Sequence, residues 1–261
     1  MKINPIQFNF VQARPQNTVN RSLYMNNELQ ADTFSFTGAN KKDKKPKTLD
    51  DLVPKYKGII YKKVRDKDGN IVKIPQEVNI VNRSCGTFDF DVDGNLVGYA
   101  RLSYLPKEYC EKDSEFYDGY LSKNYEDLGI VGDRIEVDFV ENEKEKKYGG
   151  VGHLADLIEV ACCKELGFKP NVVSVSLADA APMHYKRGKR FVPYERYFSE
   201  SELKDYNLKG KDPNETVREI IESTPKGKKF NTSELKTDPL MYMPKEMIKE
   251  LEKELKEHPI F

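Results

Sequence analysis

Three glycines lie just before a stretch with helical periodicity in the segment KKYGGVGHLADLIEVACCKELGF, residues 146–168. Apolar side chains recur at three- and four-residue spacing over residues 151–166, and Gly167 supplies a stop, so the pattern predicts a helix. Glycine in a helix interior costs about 1 kcal/mol relative to alanine, which favours a loop at Gly149 and Gly150. The N-terminus of a helix presents unpaired N–H groups and a partial positive charge, and glycine lets an anion approach them. The segment therefore predicts a phosphate-binding loop.

This loop does not match the complete motif of a common nucleotide-binding fold. It lacks the GK[ST] ending of the triphosphate-binding loop, and it fits the G-x-G-x-x-G spacing of dinucleotide folds only with Ala155 in the last position. A tight turn before a packed helix explains the same glycines equally well, so both interpretations stay open at this point.

A second group of chemically useful side chains lies in DRIEVDFVEN, residues 133–142. Apolar and charged residues alternate there, which predicts a strand with Glu136 and Asp138 on one face. The strand leads through a charged loop into the glycines. After the predicted helix, residues 171–179 form another short β-rich stretch. Strand, helix and strand over so short a span predict a right-handed crossover between parallel neighbours.

The composition argues against several classes of function. The 261 residues include 43 basic and 43 acidic side chains, and this balance gives no indication of nucleic acid or an anionic membrane as a partner. No apolar run approaches the roughly 18 residues of a spanning helix, and the N-terminus has no signal pattern, so we expect a soluble, cytoplasmic protein. Four cysteines without metal-ligand spacing and three scattered histidines predict reduced thiols and no metal site.

The chain is predicted to divide into a tail, a central domain and an extension. Residues 1–48 are mostly polar, and their few apolar residues recur with no regular spacing, which predicts a disordered N-terminal tail. The central domain, residues 49–198, opens with two hairpin patterns around Asp-Gly-Asn turns, at residues 58–74 and 88–102. An acidic, aromatic insertion without clear period follows at about residues 108–129.

Residues 199–261 form the third part and show helical patterns only. The last of these helices is amphipathic, with Met247, Ile248, Leu251 and Leu255 on one side. This apolar face is predicted to dock on the central domain or on a partner.

The order of these parts resembles the GNAT superfamily of N-acetyltransferases over residues 88–198, apart from the insertion. Residues 147–152, KYGGVG, are similar to the family motif [RQ]-x-x-G-x-[GA], with lysine in the first position. Residues 181–191, APMHYKRGKRF, are similar to A-x-x-x-Y-x-K-x-G-F, although Gly188 comes one place early. Family members usually have two helices between the first and second strands, where this chain has a hairpin pattern. The acceptor-binding side is therefore not carried over.

The resemblance implies an α+β fold with a GNAT-like mixed, mostly antiparallel central sheet, a parallel splayed strand pair, flanking helices and here a helical C-terminal extension. It implies acetyl-CoA as co-substrate, with its pyrophosphate on the glycine loop and its pantetheine arm along the preceding strand. The residues it implies for this binding are Phe139, Val140, Glu141, Lys147, Tyr148, Gly149, Gly150, Val151, Gly152 and His153.

The implied activity is direct transfer of an acetyl group to a primary amine of a small molecule or a protein. By resemblance, Tyr185 is the candidate acid for the departing thiolate, and Glu136, then Asp138, is the candidate base for the amine. Tyr185 packed as a core aromatic, and strand carboxylates exposed to solvent, are the alternatives. His184 is expected at the surface or as a proton relay. The alternative function is a catalytically inactive GNAT-fold module that binds a ligand or a protein.

Overall fold

A mostly antiparallel sheet of nine strands organises the part of the chain that the computed structural model describes, residues 48–55, 57–110 and 119–261. The prediction of a disordered tail falls outside these residues, except at Thr48. In chain order the strands are β1 (Gly58–Arg65), β2 (Ile71–Asn82), β3 (Thr87–Val92), β4 (Asn95–Leu105), β5 (Arg134–Glu141), β6 (Tyr148–Gly149), β7 (Val172–Val175), β8 (Arg190–Phe191) and β9 (Leu240–Tyr242). Their spatial order is β6-β1-β2-β3-β4-β5-β7-β9-β8. β5 and β7 run parallel, and the other paired strands run antiparallel.

Both predicted hairpins form. β1 pairs with β2 from Gly58↔Val78 to Arg65↔Ile71, and β3 pairs with β4 around the second Asp-Gly-Asn turn. Asp93 and Gly94 in that turn have positive φ angles of 53° and 79°, as the tight hairpin turn requires. The alternating side chains Phe88, Phe90 and Val92 of β3 are buried.

The helices are α1 (Gly119–Ser122), α2 (Val151–Leu166), α3 (Ala181–Lys186), α4 (Glu200–Asp205), α5 (Pro213–Ser223) and α6 (Lys245–Glu257). α2 is the crossover between the parallel strands β5 and β7, as predicted, and it ends where Gly167 adopts φ 91°. Its apolar side packs on the main core with the inward side chains of β1 to β5. Among the helices described, none has both the length and the apolar character that crossing a bilayer requires.

The C-terminal part differs from its prediction, because residues 199–261 contain a strand as well as helices. β9 lies inside the sheet, where it pairs with β7 on one side and β8 on the other. α6 docks on this same chain, since Met247, Leu251 and Leu255 join the core that contains α2. The described residues accordingly lie within one compact unit.

The described end of the insertion, from residue 119, packs against the sheet near β7 and β9. Leu121, Tyr125 and Ile130 form an apolar cluster with Val173 and Leu240. Its described parts consist of α1 and short 3-10 turns.

Candidate functional site

β5 and β7 pair over a very short distance and then separate. Their register contains two pairs, Ile135↔Val172 and Glu136↔Val173. Past these pairs, the Ser174 hydroxyl donates a hydrogen bond to the Val137 carbonyl at 2.7 Å. The edge of β5 that faces β7 therefore has no strand partner over residues 138–141 in the described part of the chain.

Apolar side chains are exposed near this separation. Phe139 is 45% exposed and stacks on Tyr99 of β4 with the ring centroids 5.7 Å apart. Leu177, two residues beyond β7, is 64% exposed. Val140 packs partly against the main core, and the Tyr99 hydroxyl donates to the carboxylate of Glu141 at 3.0 Å.

A β-bulge lies at the same place on β5. Leu102 pairs with Val137 and Arg101 pairs with Phe139, so Asp138 is the extra residue of the bulged strand. The Ser103 hydroxyl donates to Asp138 Oδ2 at 2.8 Å, and Ser103 is the register partner of Glu136.

Because Ser103 is opposite Glu136 and bonds to Asp138, the two carboxylates lie on one face of the sheet, as the alternation predicts. Glu136 is 8% exposed, whereas Asp138 is exposed and lies 3.8 Å from the Arg101 guanidinium. The two carboxylates thus occupy different environments.

The glycine loop, residues 147–153, runs from the far edge of the sheet into α2. Tyr148 is buried, and β6 pairs with β1 in the register Tyr61↔Gly149 and Lys62↔Tyr148. The Tyr148 amide donates to the Lys144 carbonyl, so it is not available to a ligand. Gly150, with φ 90°, is the N-cap of α2 and has no side chain to cap the helix.

Three backbone amides at the start of α2, called the open amides below, have no hydrogen-bond acceptor among the described residues. Among the described residues, the N–H groups of Val151, Gly152 and His153 donate to no protein group, whereas the next amide, that of Leu154, donates to the Gly150 carbonyl. Such a row of amides at the start of a four-turn helix favours an anion. The candidate anion site therefore consists of these three amides and is smaller than the predicted loop of residues 147–153.

The glycines of the loop also make room for side chains of this protein. A Cβ added at Gly150 would lie 3.0 Å from the Tyr61 ring, and one at Gly149 would lie 3.2 Å from Lys63 Cε. Gly149 and Gly150 thus have a packing role, as the alternative interpretation proposes. The same contacts place a lysine and a half-exposed tyrosine beside the loop.

The charged ends of the loop are exposed. The Lys147 ammonium lies 5.2 Å from the centroid of the Tyr148 ring. His153 Nε2 lies 3.0 Å from Glu254 Oε2, which ties the first turn of α2 to α6. Val151 is buried in the main core and offers only its amide.

Tyr185 lies on the other predicted motif and is packed as an aromatic. Its ring stacks nearly parallel to Phe191, with an interplanar angle of 14°, and the Arg190 guanidinium lies 4.4 Å from its centroid. It joins an apolar cluster with Ala181 and Val217. The described contacts of Tyr185 are therefore with Phe191, Arg190 and this apolar cluster, and they do not include Glu136 or the glycine loop.

Sequence reasoning missed a buried charge network. Asp156 and Glu159 of α2 are fully buried, although charged side chains of a helix ordinarily face solvent. Lys189 is 1% exposed, and its ammonium lies 3.0 Å from Asp156 Oδ1 and 3.0 Å from Glu159 Oε2. The sequence did contain a signal for this network. Asp156 and Glu159 share one helix face with Gly152, and the basic residues that could pair with them, Arg187, Lys189 and Arg190, follow α3.

Burial and charge act in opposite directions on these groups. Burial disfavours ionised Asp156, but Lys189 and Arg187 outweigh it, so the pKa of Asp156 lies below its usual value. Burial raises the pKa of Glu159 despite the opposing effect of Lys189. Burial also acts against ionised Lys189, yet Asp156 and Glu159 raise its pKa overall.

His184 adjoins this network and is half-buried rather than fully exposed. Burial lowers its pKa to about 3, with further lowering by Lys189 and Arg187. Its Nδ1 has no hydrogen-bond partner among the described residues. The imidazole is therefore neutral near pH 7, which disfavours a proton-relay role.

The depressed pKa of His184 predicts acid sensitivity. The unfolded chain takes up this proton below about pH 6.5, whereas the folded chain does not until about pH 3, so stability falls as the pH drops through this window. We expect wild-type stability to fall relative to His184→Asn by at most about 1.4 kcal/mol per pH unit between pH 6 and pH 5. Urea unfolding of both proteins across this range measures the difference. A constant difference would contradict the assignment.

Comparisons of the chain with protein-family models, with curated proteins and with solved structures give no match.

Proposed function

We propose that this chain is an acyl-CoA-dependent N-acetyltransferase of the GNAT type, which moves an acetyl group from acetyl-CoA to a primary amine. One observation carries the proposal. The parallel strands β5 and β7 separate after two register pairs, and the helix that connects them, α2, begins at a glycine loop with three open amides. The strand order supports it further, because β2 to β5 form an antiparallel series and β9 lies between β7 and β8.

The residues present fit the two ends of this substrate. The amides of Val151, Gly152 and His153 would hold the diphosphate, since a helix N-terminus favours an anion. The unpaired edge of β5 beyond Glu136 offers backbone groups at Phe139 and its neighbours to the amides of a pantetheine arm, as an added strand would use them. The exposed ring of Phe139 supplies apolar surface there.

The acceptor amine must lose a proton before it attacks the thioester that acetyl-CoA supplies. Glu136 is the first candidate to accept this proton, directly or through water, because it lies on β5 next to the point of strand separation. Asp138, whose Oδ2 accepts from Ser103, is the second candidate. We expect Glu136→Gln to lower turnover more than Asp138→Asn does.

Tyr185 is proposed to give a proton to the departing thiolate. We expect Tyr185→Phe to lower turnover about 10- to 100-fold with less than a twofold change in coenzyme A affinity, because only the hydroxyl is removed. Thiol release under saturating acetyl-CoA measures turnover, and calorimetry measures affinity. Full turnover across the pH range would assign Tyr185 to packing alone.

The alternative is a GNAT-fold module that binds a ligand without catalysis. The packing of Tyr185 between Phe191 and Arg190 favours it, because this arrangement accounts for the residue without a catalytic role. The two functions are separated by thiol release from acetyl-CoA with a panel of polyamines, amino acids and lysine peptides. Release above the rate without acceptor supports the enzyme. Binding of desulfo-coenzyme A without release from any acceptor supports the module.

A further inference from the structure

Four charged side chains are buried together between α2 and the segment that follows α3. Asp156 and Glu159 expose no side-chain surface, whereas the side chains of Lys189 and Arg187 are 2% and 26% exposed. The Lys189 ammonium contacts one oxygen of each carboxylate at 3.0 Å. The other oxygen of Asp156 is thereby left to Arg187, and the network has two acids and two bases.

This network fixes the orientation of Arg187. Its Nε donates to Asp156 Oδ2 at 3.0 Å, and its Nη2 donates to the same oxygen and to the Gly152 carbonyl, the latter at 2.7 Å. A Cβ at Gly152 would lie 2.4 Å from Arg187 Nη1. The lack of a side chain at Gly152 therefore lets the guanidinium rest against the first turn of α2.

The first turn of α2 is also the turn whose amides are open. Arg187 packs on Gly152, which supplies one of these amides, and its side chain keeps part of its surface exposed. A guanidinium beside a helix N-terminus adds a full charge and further N–H donors to the partial charge of the helix. Lys147 is less constrained, because it is exposed and its ammonium lies over the Tyr148 ring.

We propose that Arg187 is a further binding group for a diphosphate-containing ligand at the glycine loop, and that Asp156 is the positioning residue that holds Arg187 there. This inference rests on the proposed function, since it assigns side chains to the same diphosphate. Arg187 contacts the anion, whereas Asp156 acts through Arg187, and the Lys189 ammonium lies 3.0 Å from the second oxygen of Asp156 as a further counter-ion. The ion pair is thus kept charged and in place before the ligand arrives.

The test compares a ligand with the diphosphate to one without it. Calorimetry with the full chain measures the affinities for desulfo-coenzyme A and for pantetheine. We expect Arg187→Met to bind desulfo-coenzyme A about tenfold more weakly, with pantetheine affinity within twofold of wild type. Arg187→Lys should recover part of the loss. Asp156→Asn should lower the affinity for desulfo-coenzyme A but not for pantetheine, although the arginine is still present.

Arg196→Met is the matched control, since Arg196 forms an ion pair with Asp127 at an exposed position on another part of the chain. It should leave both affinities unchanged. Thermal unfolding checks that each variant is folded, and if Asp156→Asn fails this check, the comparison of Arg187→Met with Arg187→Lys decides.

The outcomes separate this inference from the proposed function. An equal loss of affinity for both ligands in Arg187→Met would show that the ion pair has only a structural role, and it would overturn the inference. Tighter binding of desulfo-coenzyme A by Asp156→Asn would show that Asp156 competes for Arg187, and would overturn the positioning role. If the wild-type protein binds desulfo-coenzyme A and Arg187→Met binds it with the same affinity, the inference alone is overturned. Failure of the wild-type protein to bind it overturns the proposed function as well.

Discussion

Lys189→Met is expected to lower the free energy of unfolding by about 3–5 kcal/mol, because it leaves the buried carboxylate of Glu159 without its cation. The Lys189 ammonium is 3.0 Å from an oxygen of Asp156 and 3.0 Å from one of Glu159, and all three side chains are at most 2% exposed. Arg187 still contacts Asp156 in the variant, but Glu159 loses the cation that it pairs with. Urea unfolding at pH 7 measures the change.

Two further variants make this result specific. Lys209→Met removes a lysine from an exposed ion pair with Glu200 and should cost no more than about 1 kcal/mol. Adding Glu159→Gln to Lys189→Met should recover part of the stability, since a neutral amide replaces the unpaired carboxylate. A loss below about 1 kcal/mol for Lys189→Met would contradict the buried network.

His153→Glu is expected to weaken binding of desulfo-coenzyme A by roughly 30- to 100-fold, because it adds a negative charge beside the open amides of α2. His153 is the third residue of the helix, where a glutamate is compatible with the helix dipole. Its neighbour Glu254 is also partly exposed, so solvent screens the repulsion between the two carboxylates and the protein should still fold. Pantetheine has no diphosphate, and its affinity should change by less than about threefold. Calorimetry with both ligands measures the effect.

The control for His153→Glu is His153→Gln, which removes the contact with Glu254 without adding charge. It should bind desulfo-coenzyme A within about threefold of wild type. Unchanged affinity in His153→Glu would place the diphosphate somewhere other than the glycine loop.

Local patterns were sufficient to predict much of the fold. The two hairpins follow from Asp-Gly-Asn turns between alternating segments, and both properties are encoded within about fifteen residues. The helix from Val151 to a stop at Gly167 and the parallel crossover around it follow from periodicity and short connections.

Features that depend on tertiary contacts were not predictable in this way. β9 has only three residues and lies between Pro239 and Pro244, so it has no period that identifies it, and its pairing with β7 and β8 is long-range. The burial of Asp156 and Glu159 depends on Lys189, about thirty residues later, and a carboxylate is ordinarily assigned to a solvent-facing position.

The candidate site was predicted in part. The grouping of Glu136 with Asp138 follows from strand alternation, and the bulge at Asp138 leaves both beside Ser103. The environment of Tyr185 was not predictable, because it is set by Phe191 and Arg190 across a turn. The packing of Arg187 against Gly152 was likewise hidden, since no local pattern joins α3 to the first turn of α2.

The central claim is that the first turn of α2 holds a diphosphate. Amide chemical shifts of the ¹⁵N-labelled full chain, titrated with desulfo-coenzyme A and separately with pantetheine, test it most directly. We predict large shifts of the Val151, Gly152 and His153 amides with desulfo-coenzyme A, and only small shifts there with pantetheine. Saturable binding of desulfo-coenzyme A that leaves these three amides unshifted would contradict the account.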